Sequence, residues 1–348
     1  MHHRLVLAAS ILLSIISTAV LAASQTYTTL DPPNASETIV FSISENGTIA
    51  GYYQATGSQQ YESFVISPAG AYKFQEIPFA YSTEVAGVNN GGSTIGYYYS
   101  QGDLQHEYAM VGQSGKIDFF DPPRAKRIYT RCGAINNLNE VTGVHTDSHF
   151  VQHGFTADLF GMLTVFDPPG SKSTVGLAIN DSGVVAGGYF TYTGGNPLHG
   201  FVRDQLGNIT TFDAPGAGTQ GDQGTEVTAI NSVGQVVGYY GDSNSVYHAF
   251  LRGVDGTVTE FDAPDATGFG TYAYGINSAG EVVGYYFDST EAAHGFLRDQ
   301  YGNFTEFDDP SAGTGQYQGT FAFGISDTGV IAGYYEDSEG SVHGFKRQ

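Results

Sequence analysis

Tryptophan is absent from the 348 residues, and the single cysteine is Cys132. A lone cysteine forms no internal disulfide and cannot build a cysteine-based zinc site. Basic residues are scarce, with 13 Lys and Arg against 35 Asp and Glu, a net charge of −22. That balance excludes nucleic acid and an anionic membrane surface as partners. Charged residues of both signs reach 14%, against about 25% in ordinary globular chains. One long apolar run exists, Leu5 to Leu21, and no second one follows. The remainder therefore holds no helical membrane span. Nucleophile elbow, phosphate loop and His-Glu-x-x-His motif are all missing, so the commonest signatures of hydrolases, nucleotide enzymes and metalloproteases are absent.

Glycine, tyrosine and phenylalanine are abundant instead, at 48, 24 and 23 residues. Few charges with many glycines and aromatics describe an all-β chain dense in turns. The apolar run follows a basic start, Met1-His2-His3-Arg4, and leads into Ala22-Ala23-Ser24. That order predicts a secretory signal peptide over 1–22, cleaved after Ala22, and a secreted or periplasmic location. Residues 23–348 then form a single domain.

A repeat runs along that domain. Its end of strand a reads Ile43-Ser44, Val88-Asn89, Ile135-Asn136, Ile179-Asn180, Ile230-Asn231, Ile276-Asn277 and Ile325-Ser326, every 44 to 51 residues. A glycine-centred strand b follows, as in Val282-Val-Gly-Tyr-Tyr286. Strand c is His294-Gly-Phe-Leu-Arg298, and strand d ends in Phe-Asp, as in Phe307-Asp308. Asx-to-Gly turns join a to b and c to d. Four antiparallel strands at this period predict a propeller blade. The last unit stops at strand c, while Tyr27 to Pro33 is an orphan strand d. The expectation is a seven-bladed β-propeller, four antiparallel strands per blade, its ring closed by the N-terminal strand completing the last blade. The glycine of each strand b is expected to permit close approach of blade to blade.

His248-Ala249-Phe250, with Leu251-Arg252 and Thr259-Glu-Phe-Asp-Ala-Pro264, resembles the bacterial extracellular repeat family named after its His-Ala-Phe tripeptide. The resemblance spans essentially all of 23–348. It implies a propeller-like repeat and carries no activity. Glu62-Ser63-Phe64, His106-Glu107-Tyr108 and Val144-His145 depart from the pattern.

Long, variable d–a and b–c connections mark the binding face. Strand d ends there in Asp31, Asp121, Asp167, Asp213, Asp262 and Asp308, and the b–c loops add Asp147, Asp242, Asp288 and Asp337. A carboxylate rim suits Ca²⁺ or a basic partner. Its recurrence in blade after blade favours turns that each solve the same local problem, and no calcium-loop motif is present, so no cofactor is expected. His106, His153, His199, His248, His294 and His343 hold one position of six units, and their repetition points to a structural imidazole hydrogen-bonded between strand c and a neighbouring loop. Asp147, His149 and His153 have spacing that permits a metal, as the weakest of the candidates. Of each tyrosine pair on strand b, one packs on the next blade and the other reaches towards the loops. Asymmetry is the mark of a site in such a ring. By that test the third unit stands out, and Arg124, Lys126, Arg127, Arg131 and His145 are the candidate ligand-binding residues, suited to a carboxylate or sulfate. The sequence thus reads as an exported, monomeric, non-catalytic binding or scaffold propeller, its ligand a glycan or an envelope protein. The alternative is an extracellular polysaccharide hydrolase or lyase with acids at the channel mouth.

Overall fold

The computed structural model describes residues 25–348, apart from 76, 78–79, 101–102, 114–115, 121–129, 159–161, 192–194 and 222; of 100, 103–113 and 116–120 it describes the backbone. The proposed leader, Asp121, Arg124, Lys126 and Arg127 lie outside the described residues, as does the side chain of His106.

Among the described residues the chain is all-β, with 28 strands. After β1 (Tyr27–Thr29), the strands follow as antiparallel runs of four. The first is β2 (Ala35–Ile43), β3 (Ile49–Ala55), β4 (Tyr61–Ile66) and β5 (Tyr72–Gln75). The second is β6 (Ala80–Val88), β7 (Thr94–Ser100), β8 (Asp103–Gln113) and β9 (Lys116–Phe120). The third is β10 (Thr130–Ile135), β11 (Val141–Thr146), β12 (Gln152–Ala157) and β13 (Leu163–Phe166). The fourth is β14 (Ser173–Ile179), β15 (Val185–Phe190), β16 (His199–Arg203) and β17 (Ile209–Phe212). The fifth is β18 (Gly224–Ile230), β19 (Val236–Gly241), β20 (Tyr247–Arg252) and β21 (Val258–Phe261). The sixth is β22 (Thr271–Ile276), β23 (Val282–Phe287), β24 (Ala293–Arg298) and β25 (Phe304–Phe307). The last has β26 (Gly319–Ile325), β27 (Ile331–Glu336) and β28 (Val342–Arg347). Its fourth strand is β1, whose Tyr27, Thr28 and Thr29 pair antiparallel with Arg347, Lys346 and Phe345. Leu30 N–H extends the pairing to the Gly344 carbonyl at 2.7 Å. The first strand of each run packs on the run before it, and β2 packs on β27 and β28.

Six of the seven runs are built around a fully buried phenylalanine from strand c, namely Phe64, Phe155, Phe201, Phe250, Phe296 and Phe345, and the second run has Met110 at that register position. The arginine ending that strand reaches the preceding run and lies over its strand-d phenylalanine: Arg298 over Phe261 at 4.7 Å, Arg347 over Phe307 at 4.4 Å. Such cation–π contacts add to the apolar packing between runs. The repeated Phe-x-Arg is therefore one core residue and one inter-run tie.

The strand-b glycine has a different cause from the expected one. A Cβ on Gly238 would drive into the Glu226 carbonyl of its own sheet and meet the Phe250 ring at 2.9 Å. The same clash with the paired strand a recurs at Gly51, Gly96, Gly143, Gly187, Gly284 and Gly333. A bulge in strand a, between Val227 and Ala229 in the fifth run, lies beside it. The glycine thus accommodates a bulge within the blade, not the approach of the next blade.

Ile-Asn is explained at the hairpin end. Asn180 Oδ1 accepts the N–H groups of Ser182 and Val184, both at 3.1 Å, which closes the a–b turn. Its amide then donates to the Asn231 carbonyl of the next run at 3.1 Å. Asn89 to Asn136, Asn136 to Asn180, Asn231 to Asn277 and Asn277 to the Ser326 carbonyl continue the belt. Asp327 N–H donates to the Glu45 carbonyl at 2.9 Å between last and first runs. The belt and the isoleucines behind it line a central cavity of about 390 Å³.

Candidate functional site

At the opposite end, the repeated histidines meet the repeated aspartates. Nδ1 of His153, His199, His248, His294 and His343 lies 2.7–2.9 Å from Asp167, Asp213, Asp262, Asp308 and Asp31. In all of these but His199 the other ring nitrogen faces a b–c loop aspartate, as in His343–Asp337 at 3.4 Å and His294–Asp288 at 3.6 Å. The ring also stacks on the second tyrosine of strand b, with Tyr335–His343 centroids 5.0 Å apart. The strand-d aspartates therefore hold imidazoles, where the sequence pointed to turn backbone. The b–c aspartates do cap their turns: Asp242 accepts N–H from Asn244 and Val246. Hydrogen bonding to Asp308 raises the His294 pKa against the opposing effect of burial. For His343 burial pulls downwards, and the bonds and charges of Asp31 and Asp337 outweigh it, leaving the pKa raised. Backbone donors, Val151 first, bring Asp147 down to about 2. Asp147 lies 3.4 Å from His149 and 3.7 Å from His153, yet among the described residues no three His, Cys, Asp or Glu side chains converge as a metal site.

His145 stands where Tyr240, Tyr286 and Tyr335 stand, cross-strand from His153, and is only 8% exposed. It is a buried strand residue rather than a loop-face ligand contact. Arg131 also lies on a strand, β10, not in the d–a loop. Its guanidinium sits 4.8 Å over the Tyr97 ring.

Arg131 belongs to a position that the repeat left unread. Four places before the Ile or Val that ends strand a, the runs carry Ile39, Glu84, Arg131, Val175, Glu226, Tyr272 and Phe321. Each is paired with the first residue of the strand-b couple: Tyr52, Tyr97, Val144, Gly188, Tyr239, Tyr285 and Tyr334 respectively. Two residues further along the same face are Phe41, Ala86, Gly133, Leu177, Thr228, Tyr274 and Phe323, which line the central cavity. No two runs have the same set.

One half of this wall is aromatic. Tyr274 stacks on Tyr285 at 5.5 Å and meets Phe323 at 4.8 Å, and Tyr285 meets Phe321 at 5.0 Å. The hydroxyls of Tyr285, Tyr274 and Tyr239 are hydrogen-bonded in series, and Tyr239 donates to the Glu226 carboxylate. Burial holds these phenols far above their ordinary pKa. Burial also raises Glu226, with Tyr239 opposing it. The aromatic wall reaches the rim through Phe287, which touches Phe269 at 5.6 Å and Tyr317 at 6.5 Å. Phe269 and Tyr317 are 39% and 49% exposed. The third and fourth runs are bare of aromatics at these positions, with Val144, Val175 and Gly188, while the first and second keep Phe41, Tyr52 and Tyr97. The first tyrosine of each pair thus packs on strand a of the next run, behind the cavity-lining residues, as Tyr239 does on Tyr272 and Tyr285 on Phe321, both at 5.0 Å, and the second backs the histidine, a division that alternation alone did not assign.

No family model matches the chain, and no curated protein does. Solved structures share its architecture. A prolyl endopeptidase aligns with a TM-score of 0.57 at 12% identity, over 90% of this chain and 51% of its own. Puromycin hydrolase, as the S511A mutant complexed with PGG, gives 0.56 at 10%, over 89% and 52%. TolB from Acinetobacter baumannii gives 0.50 at 11%, over 79% and 64%. The chain spans about half to two thirds of the length of these proteins. At such identities the likeness is one of fold, and the radial runs of four antiparallel strands about a central cavity make that fold a β-propeller.

Proposed function

We propose that the chain is an exported, closed seven-bladed propeller that binds carbohydrate without transforming it. β1 as the outer strand of the last run, and the packing of β2 on β27 and β28, support closure. The observation that carries the binding reading is the one-sided aromatic wall ending in exposed Phe269 and Tyr317. Repetition cannot account for it, because the equivalent places elsewhere hold Val175, Gly188 and Val144. Aromatic faces stack on the apolar faces of sugar rings, and the neighbouring hydroxyls and carboxylate answer sugar hydroxyls. The alternative, a polysaccharide hydrolase or lyase, draws on the raised pKa of Glu226. A glycosidase needs two carboxyls roughly 5–10 Å apart about one bond. Glu84, the other carboxylate at this level, belongs to the second run, separated from the fifth by the whole of the third and fourth.

A glycan array with the purified chain tests the proposal, followed by titration of hits against the Phe269→Ala/Tyr317→Ala double variant. Binding reduced at least about tenfold, at unchanged melting temperature, is the expected result. An array blank for the folded wild type, or release of product from a bound glycan, would refute non-catalytic carbohydrate binding.

A further inference from the structure

Beside the channel, between the fourth and fifth runs, is a second cavity of about 320 Å³. It exists because Gly188 occupies the place of the first tyrosine of the strand-b pair, and Leu198 leans over the vacated space. A Cβ on Gly188 would meet Leu198 Cδ1 at 3.0 Å. Around the cavity stand Phe190, Tyr239, Tyr247 and Tyr272, with the Glu226 side chain at the junction with the central channel. The three tyrosines pack as a corner: Tyr239 is 5.8 Å from Tyr247 and 5.0 Å from Tyr272, and Tyr247 is 5.1 Å from Tyr272. Among the described residues, no Lys, Arg or His lines the cavity. Among the described residues, Glu226 has the Tyr239 hydroxyl as its hydrogen-bond partner and no recorded ion pair.

We propose that this pocket binds a compact organic cation, a quaternary ammonium or protonated amine, seated against the tyrosine corner with Glu226 as its counter-charge. The π faces of tyrosines attract a cation within about 6 Å, most strongly where it is desolvated. A carboxylate held in a largely apolar pocket without a protein counter-ion is costly, and a bound cation removes that cost. The net charge of −22 concentrates cations at the surface. A hard metal ion fits poorly, because Ca²⁺ takes six to eight oxygen ligands and this cavity offers one carboxylate and the Gln223 side chain among aromatic and aliphatic walls. An anion finds no basic partner. The pocket is distinct from the Phe269–Tyr317 rim, so the glycan experiment and this one fail separately.

The test is calorimetry with choline chloride and with its uncharged isostere 3,3-dimethylbutan-1-ol, at neutral pH and low salt. Choline binds, and the isostere binds at least about tenfold more weakly. Glu226→Gln removes that preference, and Tyr247→Leu weakens choline about tenfold or more, with unchanged circular dichroism. Tyr247→Phe keeps the ring face and retains choline binding, as does the Phe269→Ala/Tyr317→Ala control. Equal affinity for choline and its isostere would overturn the proposal. So would absence of binding by the folded wild type at about 10 mM of either choline or tetramethylammonium, or equal loss in the Tyr247→Phe and Tyr247→Leu variants.

Discussion

The outer rim and the channel wall are made from the same strands and obey opposite rules. On the rim, His294 with Asp308 and Asp288 has the geometry of His343 with Asp31 and Asp337, although the second set joins residues from the two ends of the chain. On the wall, Glu226, Arg131, Val175 and Tyr272 share one position and no chemistry, and only Glu84 repeats the carboxylate. A feature present in every run solves a problem that every run has, such as closing a turn or tying strand c to strand d. A position free to differ has been released from that problem. The recognition we propose is therefore assigned to the wall, and the histidines tie strand c to strand d in every described run that carries the pair.

The greatest effect is expected where the scaffold depends on one strand. Deleting Gln25 to Pro33 removes β1, uncovers the edge of β28 and leaves His343 without Asp31. Exposed strand edges recruit other chains, so aggregation or a melting temperature lowered by about 10 °C or more is expected. Light scattering and calorimetry check it. A monomer with unchanged melting would show that rim and hairpin belt do not form a closed unit.

Next in size is the belt. Asn180→Ala removes the oxygen that accepts both turn-closing N–H bonds and the link to Asn231. A cost of about 2–4 kcal/mol follows from unmade buried hydrogen bonds. Replacing Leu177, one turn of the chain earlier on the channel wall, by Val should cost under about 1.5 kcal/mol. Urea titrations of the two variants compare repeated and unrepeated positions directly, and equal costs would erase the distinction.

How far these two regions could be read beforehand follows from the same rule. Ile-Asn, the hairpin glycines and the orphan strand at Tyr27 were legible because each recurs or completes a recurrence. The partner of each histidine was not, since His343 and Asp31 are 312 residues apart and only the pairing of β1 with β28 unites them. Bulges, as between Ala273 and Gly275, shift the register of strand a and hid which tyrosine of a pair packs on the next run. Glu226 escaped notice because only Glu84 matches it among the other repeats, and a position that recurs so rarely reads as drift. Deviation was sought in basic residues, and Arg131 does sit on the wall, but the aromatic half lay in the fifth to last runs.

A smaller effect distinguishes the regions by pH. His294 and His343 have raised pKa values, so their contribution is complete below the unfolded value of about 6.5 and is lost as pH rises through the folded values. Backbone donors lower Asp242 and Asp337, so their contribution is present above about pH 3.8 and is lost as pH falls through the folded values. Thermal stability should therefore peak between about pH 4 and 6.5. His294→Gln should lower melting at pH 5 by about 2–4 °C and flatten the decline on the alkaline side. An unchanged alkaline slope in that variant would remove the rim from the explanation.

The smallest effect on stability is expected at the wall, and its sign is informative. Burial raises the Glu226 pKa, so the folded state disfavours its charged form. A carboxyl raised in this way contributes most to stability below its unfolded pKa and opposes folding as pH rises through the folded value. Glu226→Gln keeps an acceptor for the Tyr239 hydroxyl and removes the charge. Its melting temperature at neutral pH should equal or slightly exceed that of the wild type, and the two should converge near pH 4. A residue retained at a cost to the fold is the usual signature of function in place of structure. If the variant melts lower at neutral pH, Glu226 stabilises its run, and the wall would have to be regarded as scaffold in the same way as the rim.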